Sequence, residues 1–522
     1  MADLEHDVPI TPNSIFNVGS VSKQFTAFAV ALLASDRRLS LDDDIRQYLT
    51  ELPDYGQTVT IRHLLTHTSG LREGFNLLRL TGWPVIDGIP GTEDDLLRMV
   101  ARQKSLNDAP GTVFRYNNSG YTLLAVIVRR VSGQSLREFA ETRIFGPLGM
   151  RDSHFHDDAT MIVRGRASAY RPRPGGGWGT ISRAVSQYQE AGEPEAIGNT
   201  GLHTTVGDLL KWEQNFVDAQ VGTRALLDEM QMFGQLGDGR TIPYGFGLWL
   251  EPQRGLRSVW HGGSDYGYQS SVMRFPDQAL TIVTLCNASA APAGDLANRV
   301  AQIFLGSGAP APPASPAPAA SVGEAEIAAL VGTYWNPTVE GVVRLVMEDG
   351  RLVTQGNSTA LVPLGDGRFR VGGGFPPHVV LFPSPETGAP QEMHDPPPMF
   401  QAPFDCRSWY AACGGPFSEV GVFSRVGVPT YSAADLRAYA GEYRSEELDA
   451  TFRVVATPDG GLAVLRERVE PMLVTVVTDD TFSGPESAML TFIRARSGAV
   501  TGLDFSYRGL RRVSFTKSTG GE

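Results

Sequence analysis

The stretch FNVGSVSKQFTAFAVALLASDRRLS, Phe16 to Ser40, places Ser20 and Lys23 three residues apart just as an apolar helix begins. Lysine is rare here: Lys23, Lys104, Lys211 and Lys517 stand among 45 basic residues, and the rest are arginine. Arginine keeps its proton in proteins, whereas a buried lysine can lose one. The lysine at 23 therefore suits a group that has to act as a base. Ser and Lys one helical turn apart share a face and lie within hydrogen-bond reach. A serine hydroxyl becomes a good nucleophile when a base takes its proton. Burial or a nearby cation would bring the lysine down from its ordinary pKa of about 10.4. A helix N-terminus adds free N–H groups that can hold an oxyanion and a positive end that disfavours the ammonium. The same S-x-x-K spacing recurs at Ser514 and Lys517, inside an apparent strand. There, positions three apart point to opposite faces, so that copy is read as accidental.

Two further stretches carry polar groups at the ends of elements. In PGTVFRYNNSGYTLLAVIV, Tyr116 and Asn118 sit at the lip of a second buried helix, which Gly133 stops. Tyr116 could relay a proton and Asn118 could bind a substrate amide; equally, Asn118 could cap the helix while Tyr116 packs. In SVWHGGSDYGYQSS, His261, Gly262 and Gly263 end a strand, and the two glycines permit close approach of a ligand to the backbone or form a plain turn.

Bulk composition narrows the function. The 522 residues suggest roughly two to four domains. A net charge of −12 without a basic run argues against nucleic acid and anionic membrane surfaces. Cys286, Cys406 and Cys413 are too few for a disulfide scaffold; Cys406 and Cys413 could pair but are read as unpaired thiols. No stretch is long and apolar enough to span a bilayer. The opening MADLEHDVPITPNS lacks a signal-peptide core, so the chain reads as cytoplasmic.

The Pro/Ala-rich run GSGAPAPPASPAPAASVG marks a linker, residues 307–323, after a first domain of residues 1–306. That domain mixes buried helices with a hairpin, GYQSSVMRF and ALTIVTLCN joined at Pro276-Asp277, and then a helix from Ala297. It reads as α+β. Downstream, ALVGTYWNPTVEGVVRLVMEDGRL from Ala329 and AYAGEYRSEELDATFRVVATPDGGL from Ala438 form an internal repeat, matching Gly332 and Tyr334 to Gly441 and Tyr443. Short alternating strands follow each, predicting two small all-β barrels or sandwiches, residues 324–430 and 431–522. The proline-rich stretch from Ser384 to Phe417 between them reads as a long loop, or as a lid.

Taken in order, the three motifs resemble those of the serine β-lactamase and penicillin-binding superfamily, in its class C-related branch. The surrounding text is similar too: VTIRHLLTHTSGLRE, IFGPLGMRDS, GLHTTVGDLLKWEQNF and PYGFGLWL. The resemblance runs to about Gly306 and implies a helical subdomain on an antiparallel sheet, with the site between them. The two β units resemble the extra barrels of D-aminopeptidases in this branch. The resemblance implies Ser20 as nucleophile, Lys23 as base and Tyr116 as proton relay. It implies Asn118 on the substrate's acyl-side amide and an oxyanion hole from the backbone N–H groups of Ser20 and Ser264. His261, with Gly262 and Gly263, fills a substrate-binding position where many relatives carry lysine. A mostly neutral histidine there speaks against a substrate with a free C-terminal carboxylate. The expected activity is acyl-enzyme hydrolysis of a small peptide, amide or ester, D-aminopeptidase-like first, with a carboxylesterase, a β-lactamase or a non-catalytic binding protein as alternatives. No cofactor, metal, nucleic acid or membrane is expected; the oligomeric state is open, a homodimer being one option. Two departures stand out. The helix and two strands that the family sets before S-x-x-K are missing, which points to absent upstream residues or an incomplete sheet. The counterpart of the D-aminopeptidase barrel loop, DDTFSGPESAMLTF, is short.

Other motifs are set aside. His63 and His67 are four apart on an expected helix, but Leu64 stands where a zinc protease needs glutamate. His154 and His156, with Asp157 and Asp158, could make a surface metal site, a reading that is set aside. No G-x-S-x-G elbow occurs, which argues against an α/β-hydrolase. RPRPGGGWG lacks the lysine of a phosphate loop and reads as a flexible loop.

Overall fold

The computed structural model describes every residue except 83–91, 159, 182–195, 254, 307–322, 338–339, 356–358, 366, 372–377, 383–390, 396–420, 459, 468 and 519–522. The chain forms two compact units, Met1–Arg79 with Trp83–Pro310, and Ala311–Glu522 with Leu80–Gly82. The expected linker and both Cys406 and Cys413 lie outside the described residues. No helix among the described residues is long and apolar enough to cross a membrane.

In the first unit a two-residue strand, β1 (Phe16–Asn17), leads through a single 3-10 turn, Gly19–Val21, into α1 (Ser22–Ser35). Helix α1 is apolar nearly all round, and all of Ser22–Leu33 is buried, as a central core helix requires. Phe25 and Phe28 pack on Trp212, with ring centroids 4.4 and 5.1 Å apart. Helix α2 (Asn118–Ser132) lies against α1. Asn117 caps it by accepting a hydrogen bond from the Gly120 N–H at 2.7 Å, and Gly133 ends it at φ 80°. The cap is thus Asn117, not Asn118, which leaves the Asn118 side chain for other partners.

A small sheet orders β1, β3 (Leu202–Thr204) and β2 (His154–Phe155), with β3 in the middle. The larger antiparallel sheet runs β6-β5-β4. Here β4 (Val259–Asp265) pairs with β5 (Tyr268–Phe275) in register His261↔Val272, and β5 pairs with β6 (Leu280–Cys286) around the expected Pro276 turn. Helix α3 (Ala293–Leu305) sets Ala297 and Ala301 against Met273, Phe275 and Ile282 of that sheet. This is an α+β domain. RPRPGGGWG is a correction: Tyr170–Pro172 and Trp178–Thr180 pair as a hairpin, with Gly175, Gly176 and Gly177 supplying the left-handed turn.

The second unit contains two closed eight-stranded barrels, one from Gly332–Asn336 to Gly421–Val426 and one from Gly441–Ser445 to Leu510–Lys517. Each follows a short helix, Glu324–Ala329 or Ala433–Arg437. The repeat seen in sequence is a shared device. The Tyr334 hydroxyl donates to the Leu330 carbonyl at 2.9 Å, and the Tyr443 hydroxyl to the Tyr439 carbonyl at 2.6 Å. Most of the expected long loop at 384–417 lies outside the described residues, but Glu392–Asp395 is a barrel strand. The second S-x-x-K copy diverges as its strand requires. Ser514 Oγ meets Asp504 at 2.8 Å, while Lys517 Nζ donates to the Ala438 carbonyl at 2.8 Å.

Candidate active site

The 3-10 turn and α1 bring Ser20 and Lys23 onto one line, since residues three apart nearly eclipse in a 3-10 turn. Ser20 is 6 % exposed and Lys23 fully buried. Lys23 Nζ has three partners: Ser20 Oγ at 3.0 Å, Asn118 Oδ1 at 2.8 Å and the Asn199 carbonyl at 2.8 Å. Burial brings the Lys23 pKa down to about 7, against the opposing pull of the Glu73 and Asp265 carboxylates. A neutral amine has two N–H donors and one lone pair. Two of its partners here are pure acceptors and the third is a hydroxyl. Once the amine is neutral, its donors go to Asn118 and Asn199 and its lone pair faces Ser20.

Backbone packing fixes the position of the Ser20 turn. Gly19 has φ 52°, and a Cβ there would lie 2.6 Å from the Ser264 nitrogen of β4. A Cβ on Gly263 would lie 1.9 Å from the Val18 carbonyl oxygen. The two backbones thus meet, with the Ser264 nitrogen packed against the residue that precedes Ser20. Ser270 Oγ clamps the Val18 carbonyl at 2.7 Å. The two glycines of the third motif differ in use. Gly263 permits this contact, whereas the nearest atom to a Cβ on Gly262 is 3.7 Å away. On the other side, a Cβ on Gly247, φ 72°, would touch the Lys23 backbone at 2.7 Å.

Tyr116 lies over the amine, with Lys23 Nζ 4.8 Å from its ring centroid. His67 stacks on Tyr116 at 4.2 Å and accepts a hydrogen bond from the Asn117 N–H through Nδ1 at 3.1 Å. The expected helix carrying His63 and His67 stops at Leu65, and His67 stands beyond it at φ 56°. Burial and the nearby Lys23 hold His67 well below its ordinary pKa, so it is neutral. His261 is also buried. Its Nδ1 faces the Gly262 carbonyl at 2.6 Å and its Nε2 faces the Tyr244 hydroxyl at 3.1 Å. Burial, then Lys23, push its pKa down to about 3. The third-motif position therefore carries no charge at neutral pH.

Glu73, Asn199 and Asp265 were not singled out from the sequence. Glu73 accepts from the Asn118 N–H at 2.6 Å and from Ser119 Oγ at 2.5 Å, at the N-terminus of α2. Asp265 accepts from Asn17 Nδ2 at 3.0 Å and from Thr200 Oγ1. Asn199 acts through its carbonyl, which any residue could offer, so no side-chain motif could have revealed it. Its side-chain oxygen accepts from Thr122 Oγ1 at 2.9 Å.

Residues 1–305 match the family model described as Beta-lactamase. Penicillin-binding protein 4* of Bacillus subtilis is 30 % identical over 299 residues, 55 % of this chain and 63 % of that protein. A D-aminopeptidase of Brucella anthropi is 31 % identical over 316 residues, 58 % of this chain and 55 % of that enzyme. The match thus spans less than two thirds of either relative's length. The octameric penicillin-binding protein homologue from Pyrococcus abyssi shares the fold at TM-score 0.52 and 23 % identity, over 75 % of this chain and 89 % of that one. With the family model covering more than half of its length, the chain belongs to the beta-lactamase family.

Proposed function

We propose that this chain is a serine hydrolase that forms an acyl-enzyme on Ser20. The observation that carries the reading is the buried Lys23 amine, with two carbonyl acceptors and one hydroxyl around Nζ. In this reading Lys23 takes the Ser20 proton as Oγ attacks the substrate carbonyl. The oxygen that gains charge is held by the Ser20 and Ser264 N–H groups. Tyr116, over the amine, passes the proton to the leaving group. Asn118 uses its oxygen on Lys23 and offers its Nδ2 donors to the substrate's acyl side. Gly262 and Gly263 let the edge of β4 lie beside the bound substrate. Water then attacks the ester by the reverse route.

The substrate class follows from charge. The uncharged His261 offers nothing to a free carboxylate, which favours amides and esters without one. The relatives named D-aminopeptidase and the two barrels support a D-aminopeptidase-like peptidase. The neutral third motif supports a carboxylesterase as the second reading. Residues 324–430 and 431–522 are, in this proposal, accessory barrel domains to a hydrolase domain of residues 1–306.

A fluorophosphonate probe followed by intact-mass measurement tests the chemistry. A single adduct is expected on the parent and none on Ser20→Ala. An unlabelled parent that still binds substrate amides would support a non-catalytic binding protein and sink the proposal. Turnover of D-alanine amide against a short-chain nitrophenyl ester then separates peptidase from esterase.

A further inference from the structure

Outside the active site, the small sheet gathers three of the nine histidines of the chain. His154 and His203 are directly opposed across β2 and β3. His156 lies two residues beyond His154, just past the end of β2, and its ring meets both others. His156 and His203 are buried and His154 is half-buried. The rings crowd together: His154 stacks on His203 at 5.5 Å, His156 is 4.6 Å from His203, and His154 is 5.7 Å from His156. One ring nitrogen from each lies within 4.8 Å of the other two. Aliphatic side chains would fill this space at less cost than three imidazoles, whose polar nitrogens lose water on burial. His203 Nδ1 lies 3.4 Å from the Gly201 carbonyl. Histidines that ligate metals are commonly oriented this way, one nitrogen on a carbonyl and the other on the ion.

We propose that His154, His156 and His203 bind one zinc or similar borderline divalent transition-metal ion between β2 and β3. Three imidazoles suit such ions and are poor ligands for magnesium or calcium. A tetrahedral ion with Zn–N of about 2.0–2.1 Å needs nitrogens about 3.3 Å apart, which small ring rotations reach from the present spacing. Half-buried His154 marks the side from which water completes the fourth position. The ion is structural rather than catalytic. It cross-links β2 to β3, and four residues before His203 is Asn199, whose carbonyl holds Lys23. The sequence alone paired His154 and His156 with Asp157 and Asp158; strand pairing supplies the third ligand instead.

The test uses the full chain, stripped by chelator and titrated with zinc by calorimetry, with metal content measured after gel filtration. One zinc per chain is expected. Affinity should fall at least tenfold in His154→Ala and in His156→Gln. His6→Ala serves as the control, because half-buried Asp3 with exposed Glu5 and His6 forms a second group of similar span. Fluorophosphonate labelling of Ser20 reports that each variant is folded. Cobalt(II) on the parent gives a readout independent of any variant: an intense visible spectrum of a four-coordinate ion is expected. The proposal is overturned by a parent that holds no stoichiometric zinc, by zinc retained in both histidine variants, by zinc lost in His6→Ala, or by a six-coordinate cobalt spectrum.

Discussion

Lys23 ties the chemistry to pH. Its buried amine has its pKa lowered to about 7 and acts as a base only when neutral. The rate of Ser20 acylation should therefore rise through about pH 7 and level off above it, as a stopped-flow or probe-labelling pH profile would show. Asp265 raises the Lys23 pKa, so Asp265→Asn should move that midpoint to lower pH; an upward move would contradict the assignment. Lys23→Arg keeps the charge but cannot give up its proton, and labelling should fall by about 10²- to 10⁴-fold. Ser20 and Lys23 were legible because the pair lies within one turn, where local spacing alone brings them together. Tyr116, Asn118 and His261 were legible only as three motifs in a family order. His67 was misread. Its partners, Tyr116 and the Asn117 N–H, lie about fifty residues downstream, and no local pattern connects them.

At the level of elements, caps and glycines hold the site in place. Asn117 accepts the Gly120 N–H and donates Nδ2 to the Leu71 carbonyl at 2.8 Å. Asn117→Ala removes the cap and should cost about 1–2 kcal/mol of stability in urea unfolding. The contact between β4 and the Ser20 turn makes a sharper comparison. A Cβ on Gly263 would meet the Val18 carbonyl oxygen at 1.9 Å, while one on Gly262 has 3.7 Å to its nearest neighbour. Gly263→Ala should displace β4 and reduce Ser20 labelling at least tenfold, whereas Gly262→Ala leaves β4 in place and should lower labelling less. Helices α1 and α2 and the β5–β6 hairpin could be read from periodicity and from their stop signals. The strands β1, β2 and β3 could not, because each has only two or three residues and no period to detect. With them went the third histidine of the cluster.

In the first unit, a buried ion pair joins the helix Val206–Asp218 to the sheet. Arg274 of β5 donates through Nε to Glu213 at 2.8 Å, and its Nη2 reaches Gln231 Oε1 at 3.0 Å. Burial pushes the Glu213 carboxyl up despite Arg274, which shows how strongly desolvation weighs there. Arg274→Met leaves that carboxylate buried without its partner and should cost about 3–5 kcal/mol in urea unfolding. The double change Arg274→Met with Glu213→Leu should recover most of the loss. By itself the sequence determined what is local: the core helices, the Ser20–Lys23 turn, the paired β units after a Pro/Ala run and the absence of charge at the third motif. Each depends on periodicity, composition or residue type within a few positions. Only the tertiary structure decided what long-range packing creates. The Asn199 carbonyl on Lys23, Glu73 beneath α2, the meeting of Gly19 with β4 and the gathering of His154, His156 and His203 join residues far apart in sequence. Their distances are set by how buried surfaces fit together, and a linear pattern does not contain them.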